Sequence, residues 1–358
     1  MGPWAPRLVL LLGLLVGCSV ADAEPPEQDP LGRTVLRGGH VVGLGVADLA
    51  LEGGLIRAVG TVATTPDDQI IDVGGRWLVP AFIDSHVHLA YLPADDAMAR
   101  GGVAGAVDHA APLSFFEQSR GPVSLKLSGP MVTAELGYPT QSWGANGYGL
   151  QCADTAAARA AVQQLAKRGA SLIKLPLTSG PSLSDEMFAA AASEAHALGL
   201  KVSSHALSAA LALQAAQGGA DVLAHTPTEQ LTTTAVELWS KRAVISTLRA
   251  FGGGAAAQAN LAALAEAGAT VLYGTDFGNT TDAGIDGAEL QLMLSAGLSP
   301  QQILDAGTKT PAQFWGFDRL GSIEVGKDAS LLVLGSDPLM DPTVLAQPDR
   351  VFIGGSQQ

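Results

Sequence analysis

The sequence is poor in cysteine, in basic residues and in aromatic residues. Its 358 residues include only two cysteines, Cys18 and Cys152, so we expect the fold to be held by its core rather than by disulfides. Lysine and arginine number 20 against 34 acidic residues, and the formal net charge is −14. This balance disfavours nucleic acid as a partner, because phosphate backbones are bound by basic surfaces.

Apolar and small residues are abundant instead. Hydrophobic residues make up 47% of the chain and charged residues 15%, which predicts a sizeable core. The 43 glycines and the alanine-rich stretches are typical of closely packed helices and strands. The length suits one large domain, or a large domain with a small one.

The first 18 residues have the pattern of a secretory signal. Arg7 precedes an apolar run at residues 8–16, which is too short to cross a bilayer as a helix, since that needs about 20 residues. The run ends in Leu-Val-Gly-Cys18, which resembles the lipobox of bacterial lipoproteins and implies a lipid on Cys18. The alternative is an ordinary signal peptide that is cleaved near residues 21–23.

The polar, proline-rich residues 19–32 are predicted to be a tether that follows residues 1–18. Ser19 resembles the residue type that directs such lipoproteins to the outer membrane. We therefore expect an exported protein that a lipid on Cys18 anchors to a bacterial membrane. The expected membrane is the outer one, with the protein facing the periplasm or the cell surface.

Both ends of the remaining chain are rich in short β-type segments. Residues 33–80 and residues 319–358 contain such segments between glycine-bearing turns. We infer that the two ends together form one small β-sandwich beside the central domain.

The central residues 81–318 alternate between helical and strand patterns. Between residues 155 and 276 five helix–strand pairs follow one another, and a glycine closes each helix except the fourth. Such alternation predicts parallel strands with right-handed crossovers. With three earlier strands the count reaches eight, so the predicted fold is an α/β fold, a (β/α)8 TIM barrel.

Metal-binding residue types recur at the predicted carboxyl ends of the barrel strands, and these ends meet at one mouth. The residues are His86, His88, Lys174, His205, His225 and Asp276. Taken singly, each has a structural explanation: a solvated or core histidine, a lysine whose amine reaches water, or an aspartate that caps a helix. Their shared position at strand ends favours a common site, because six residues with unrelated structural roles would not be expected to lie at the same ends of the strands.

A lysine is an unusual ligand, since an ammonium group only donates hydrogen bonds. Lys174 could bind metal if CO₂ converted its amine to a carbamate, and burial would supply the neutral amine that this needs. The residue count then fits two divalent cations, which we expect to be Zn²⁺. One would be held by His86, His88 and Asp276, the other by His205 and His225, with Lys174 between them.

Several sequence motifs resemble the amidohydrolase superfamily, closest to its imidazolonepropionase-like and metal-dependent prolidase-type branch. They lie at residues 79–88 and 172–174, at the His205 strand, and at residues 224–225, 274–276 and 320–334. The resemblance implies a metal-bearing barrel with a composite β-sandwich, the six residues above as metal ligands and Asp276 also as proton shuttle. Ala81 and Ser330 depart from the usual motif, and neither is a metal position.

The expected activity is therefore hydrolysis of an amide-type C–N bond in a dipeptide, an N-acyl amino acid or a cyclic amide, by a metal-activated hydroxide. Hydrolysis of an ester, lactone or phosphotriester at the same site is an alternative, as is a non-catalytic binding lipoprotein. The partner would be a small-molecule substrate, and the oligomeric state stays open.

Substrate contacts are less clear. Tyr138, Trp143 and Tyr148 either shape the pocket or simply pack within their loop. His109 fits a hydrogen-bonded wall residue better than a substrate contact.

Overall fold

The computed structural model describes residues 1–2, 32–118 and 121–358. Almost all of the predicted signal and of the tether, including the lipidation site at Cys18, lies outside these residues. Within the described part of the chain, no helix combines the length and the apolar character that crossing a membrane requires.

Strands and helices alternate along the described chain. The strands are β1 (Thr34–Val41), β2 (Gly45–Glu52), β3 (Leu55–Gly60), β4 (Gln69–Asp72), β5 (Trp77–Pro80), β6 (Phe82–Val87), β7 (Val103–Asp108), β8 (Ser124–Leu127), β9 (Met131–Ala134), β10 (Gly149–Cys152), β11 (Leu172–Lys174), β12 (Lys201–Ser204), β13 (Val222–Leu223), β14 (Ala243–Ile245), β15 (Thr270–Leu272), β16 (Leu331–Leu334), β17 (Arg350–Ile353) and β18 (Ser356–Gln357). The α-helices are α1 (Asp95–Arg100), α2 (Thr155–Lys167), α3 (Asp185–Ala197), α4 (Ala209–Gly218), α5 (Thr233–Trp239), α6 (Ala255–Glu266), α7 (Gly287–Ser295), α8 (Pro300–Gly307) and α9 (Lys309–Trp315).

The two ends of the chain share one sheet. Its order is β18-β17-β16-β5-β1-β2-β3, and β4 also pairs with β1. The junction is the antiparallel pair of β16 and β5, where Leu332 lies opposite Val79. One face buries an apolar cluster that includes Leu36, Ile56 and Phe352. The ends therefore assemble together, while a division into the two layers of a sandwich stays a prediction.

The centre is an α/β fold with two parallel sheets, β6-β7-β8 and β11-β12-β13-β14-β15. Backbone hydrogen bonds link them at both edges. The Ser171 N–H donates to the Leu127 carbonyl at 2.7 Å, and the Ser85 N–H donates to the Tyr273 carbonyl at 2.9 Å. Eight parallel strands in chain order are consistent with a TIM-barrel-type fold.

Helix boundaries follow local capping chemistry. Ser184 and Ser208 accept hydrogen bonds from the backbone of the first turns of α3 and α4, and Gly219 ends α4 with a left-handed φ of 98°. Helix α6 begins at Ala255, five residues before Asn260. Asn260 is a buried mid-helix residue whose carboxamide accepts from the Leu231 N–H at 2.9 Å, so it braces a neighbouring loop.

Candidate metal centre

Three of the predicted ligands meet where the first and last barrel strands end. His86 lies in β6, His88 directly follows it, and Asp276 follows β15. The two Nε2 atoms are 3.3 Å apart, and Asp276 Oδ1 is 3.4 Å from His86 Nε2 and 3.1 Å from His88 Nε2. All three side chains are buried. Among the described residues they form a group with the spacing of a metal site.

Each of the two histidines has a ring nitrogen available to a cation. The Nδ1 atom of His86 lies 2.8 Å from the Ala224 carbonyl, which fixes the proton on Nδ1 and leaves Nε2 as a free acceptor. None of the described residues offers a hydrogen-bond partner to the buried Nδ1 of His88. The donor set of two imidazoles and a carboxylate in a buried place therefore fits a divalent transition metal.

Glycines allow the Asp276 segment to approach the histidines. A Cβ on Gly274 would lie 3.2 Å from the His86 backbone nitrogen, and a Cβ on Gly278 would lie 2.9 Å from the His88 carbonyl oxygen. Asp276 itself has a φ of 57°, a left-handed conformation that aspartate and asparagine tolerate better than most residues. Larger residues at either glycine would push Asp276 away from the histidines.

Asp84 ties the same two strand ends together. Its buried carboxylate accepts hydrogen bonds from the His86 N–H at 3.0 Å, the Thr275 N–H at 3.1 Å and the Thr275 hydroxyl at 2.5 Å. These hydrogen bonds favour the charged form and lower the pKa of Asp84, but burial has the larger effect and raises the pKa to about 7. Asp84 thereby positions the backbone of one histidine and of the residue beside Asp276.

The other three predicted ligands line the same cavity, which has a volume of about 420 Å³. The His225 ring lies 4.5 Å from the His86 ring and 4.8 Å from the His205 ring, and its Nδ1 is 3.1 Å from Thr247 Oγ1. Lys174 is fully buried at the end of β11. The structure therefore brings all six residues to one cavity, with three of them in closest contact.

Burial favours the neutral form of the basic groups of this cavity. It lowers the pKa of Lys174 to about 7 and that of His205 to about 3. Burial, together with neighbouring basic side chains, also holds the pKa of His86 and His225 well below the usual range. Neutral imidazoles are the form that binds metal.

His109 is hydrogen-bonded as predicted, but it packs against His86 and Lys174 and is not among the residues that line the cavity. Its Nε2–H donates to the Ser85 carbonyl at 2.8 Å, and its Nδ1 is 3.2 Å from Ser203 Oγ and 3.4 Å from Lys174 Nζ. The ring stacks on His86 with centroids 4.1 Å apart. These contacts fix the position of His109 against His86 and Lys174.

The mouth of the cavity includes aromatic residues whose role the sequence did not decide, and residues that the sequence analysis did not identify. Tyr138 and Trp143 line it, whereas Tyr148 does not, and its hydroxyl donates to the Ala90 carbonyl of another loop. Phe251 and Asn279 also line it and were not predicted. The Asn279 amide donates to Asp276 Oδ1 at 3.1 Å, and its position three residues after Asp276 was the available signal.

Sequence comparison identifies the family of the chain. The sequence model of the amidohydrolase family matches residues 97–357. The chain belongs to the amidohydrolase family. This amidohydrolase is 25% identical over 372 residues to an uncharacterized protein of Mycobacterium tuberculosis (strain ATCC 25618 / H37Rv), an alignment that covers 88% of this chain and 94% of that protein. The predicted family is thereby confirmed, and the protein is a hydrolase that acts on carbon–nitrogen bonds.

Solved structures share the fold of this amidohydrolase. A Xaa-Pro dipeptidase with bound methionine in the active site superposes with a TM-score of 0.78 at 19% identity, over 91% of this chain and 100% of that chain. A putative prolidase from Bifidobacterium longum superposes with a TM-score of 0.76 at 23% identity, over 92% and 95% of the two chains. At these identities the likeness shows the fold.

Proposed function

We propose that the protein is a metal-dependent hydrolase of amide-type C–N bonds in a small-molecule substrate, with its site at the mouth of a closed (β/α)8 barrel. The observation that carries the proposal is the buried contact of His86, His88 and Asp276 at 3.1–3.4 Å, in a cavity that Lys174 and two more histidines share. The hydrogen bonds that join the two parallel sheets at both edges support the closed barrel.

The residues of the cavity would hold two divalent cations, Zn²⁺ in our proposal. His86, His88 and Asp276 would bind one, His205 and His225 the other, and Lys174 as a carbamate would lie between them. The pKa of about 7 for Lys174 supports the carbamate, because CO₂ reacts with the neutral amine. Such cations, when bound, lower the pKa of a water molecule and polarise a carbonyl group.

Asp276 is the residue that we propose to move the proton. Its Oδ1 faces both Nε2 atoms and accepts from the Asn279 amide, so the carboxylate is held in one orientation. It would take the proton of the attacking water and pass it to the leaving nitrogen. His109 is poorly placed for this role, since its Nε2–H already donates to the Ser85 carbonyl.

A substrate screen tests the proposal. The Zn-loaded protein is assayed on dipeptides, N-acyl amino acids, cyclic amides, lactones and a phosphotriester, with a chelator-treated sample alongside. We expect metal-dependent cleavage of an amide, and we expect His88→Ala to abolish it. His196→Ala, an exposed histidine on α3, is the matched control and should keep full activity. Cleavage of only esters, lactones or phosphotriesters would contradict the proposed bond class.

Export and anchoring through Cys18 stay part of the proposal. Their support is the signal-like residues 1–18 and the tether at residues 19–32. We propose a lipid-anchored protein of the outer membrane.

A further inference from the structure

Three aromatic rings cover the candidate ligand histidines. The Trp143 ring centroid lies 5.1 Å from that of His88, and the Tyr138 centroid lies 5.3 Å from that of His205. The Phe251 ring centroid is 4.7 Å from that of His225. We call Tyr138, Trp143 and Phe251 the aromatic wall. Because all three residues line the cavity, a substrate at the candidate metal centre would lie beside this wall.

Most of the surface of the wall is apolar ring carbon. The Trp143 indole N–H is the single donor of that ring, and it donates to the Tyr138 hydroxyl oxygen at 2.8 Å. The buried Met131 side chain lines the same cavity. The wall therefore offers broad, polarisable surface of the kind that packs against an aromatic or similarly flat apolar group.

The described lining of the cavity also lacks a cation outside the candidate metal ligands. Lys174 is its one basic side chain apart from the histidines. Arg249 directly precedes the lining residues Ala250 and Phe251, but its guanidinium pairs with Asp282 at 2.5 Å and also with Asp286. A substrate carboxylate at the wall would thus lose its water without gaining a cationic partner outside the candidate metal ligands, which is unfavourable.

We propose that the substrate is an uncharged amide whose aromatic or broad apolar group lies against Trp143, Tyr138 and Phe251. This inference rests on the proposed function and narrows it: it disfavours dipeptides and N-acyl amino acids, which carry a free carboxylate, and favours aryl amides and cyclic amides. The wall would orient the apolar group while the amide carbonyl faces the histidines.

Three acetanilides of similar size test the charge preference on the Zn-loaded wild-type protein. They are para-tert-butylacetanilide, its trimethylammonium isostere and para-acetamidobenzoate. Each kcat/KM is divided by the alkaline hydrolysis rate constant of the same compound, which removes the electronic effect of the para group. We expect the neutral compound to exceed the carboxylate by at least about a hundredfold, because the lining offers a carboxylate no cation outside the candidate metal ligands. A ratio near one, or a preference for either charged compound, would overturn the inference.

Binding to the metal-free protein separates this inference from the proposed reaction. Calorimetry compares para-tert-butylaniline with para-aminobenzoate, which report on the wall without any turnover. Tighter binding of the neutral amine supports the inference even if none of the amides is cleaved, in which case the proposed function alone fails. Tighter binding of para-aminobenzoate contradicts the inference whatever the activity.

A pair of variants tests the wall itself. Trp143→Leu should lower kcat/KM for para-tert-butylacetanilide by about tenfold, through lost ring contact, and should affect N-butylacetamide much less. Tyr91→Leu is the matched control, since Tyr91 is a partly exposed ring 5.2 Å from Trp143 that does not line the cavity. Equal losses on both substrates in Trp143→Leu would show a structural role and count against the wall.

Discussion

Replacing Asp276 with asparagine isolates the proton transfer from the fold. Asparagine adopts the left-handed φ of 57° as readily as aspartate, so the backbone is not strained by the change. It also keeps an oxygen that accepts the Asn279 amide at 3.1 Å. What it loses is the ability to take a proton and return it.

The expected loss follows from the role of that proton. General acid–base catalysis contributes typically about 10²–10⁴-fold, which corresponds to about 2.7–5.4 kcal/mol in the activation free energy. We therefore expect Asp276→Asn to lower kcat by this factor and to leave KM little changed, because the lost interaction belongs to the transition state.

The assay measures kcat, KM and metal content on one preparation. Asn279→Ala is the matched control: it removes the hydrogen bond to Asp276 Oδ1 but not the carboxylate, and it should lower kcat by about tenfold or less. Wild-type kcat in a fully metal-loaded Asp276→Asn variant would refute the reasoning. Asp276 would then be a ligand alone, and another group would move the proton.

Further predictions concern the metals, the lysine, a buried acid and the anchor. Elemental analysis of active protein should find two zinc ions per chain, and one ion in a fully active, metal-replete preparation would contradict the two-metal site. Lys174→Ala should lose metal and activity together, with partial rescue by short carboxylic acids; an unmodified Lys174 in an experimental map of the active, metal-loaded protein would exclude the carbamate. Burial raises the pKa of Glu289 from 4.5 to about 7, although its carboxylate accepts the Leu248 and Arg249 N–H groups. Between these two pH values the folded state keeps a proton on Glu289 that the unfolded state releases. The contribution of Glu289 to the free energy of unfolding is therefore fully present below pH 4.5 and is lost as the pH rises to about 7. The wild-type free energy of unfolding relative to Glu289→Gln should fall by up to about 3 kcal/mol over that range, as measured by urea denaturation of metal-free protein; a difference that does not change with pH would refute it. Cys18→Ser should release the protein from membranes or block its processing, and continued membrane fractionation at the mature size would show that Cys18 is not the anchor.

The sequence predicted the parts of the site that local patterns encode. His86 and His88 are two residues apart at a strand end, and the helix–strand alternation places Lys174 and Asp276 at equivalent ends. Such positions follow from periodicity and turn chemistry, which act within a few residues. The α/β class was predictable for the same reason.

Long-range contacts were not predictable in this way. Phe251 has no sequence mark that would bring its ring onto His225, because that contact depends on how the segment after β14 folds over the mouth. Asp84 was visible within its motif, yet its partner Thr275 lies 191 residues further along the chain. The predicted barrel brings the first and last strands together, but a single sequence does not show which side chains of those strands bond to each other.

The positions of strained backbone support the conclusion that the mouth of the barrel is the functional part of the molecule. Among the described residues, those with a positive φ other than glycine are Leu136, Thr247 and Asp276. Thr247 is β-branched, for which its φ of 37° is a genuine outlier, and its hydroxyl lies 3.1 Å from His225 Nδ1. Such conformations cost about 1–3 kcal/mol each and persist only where the surroundings impose them. Two of these residues lie at the candidate metal centre. Thr247 contacts His225, and Asp276 contacts His86 and His88. A fold selected only for stability would have relaxed these positions, whereas a site that must keep its ligand atoms in one geometry would retain them.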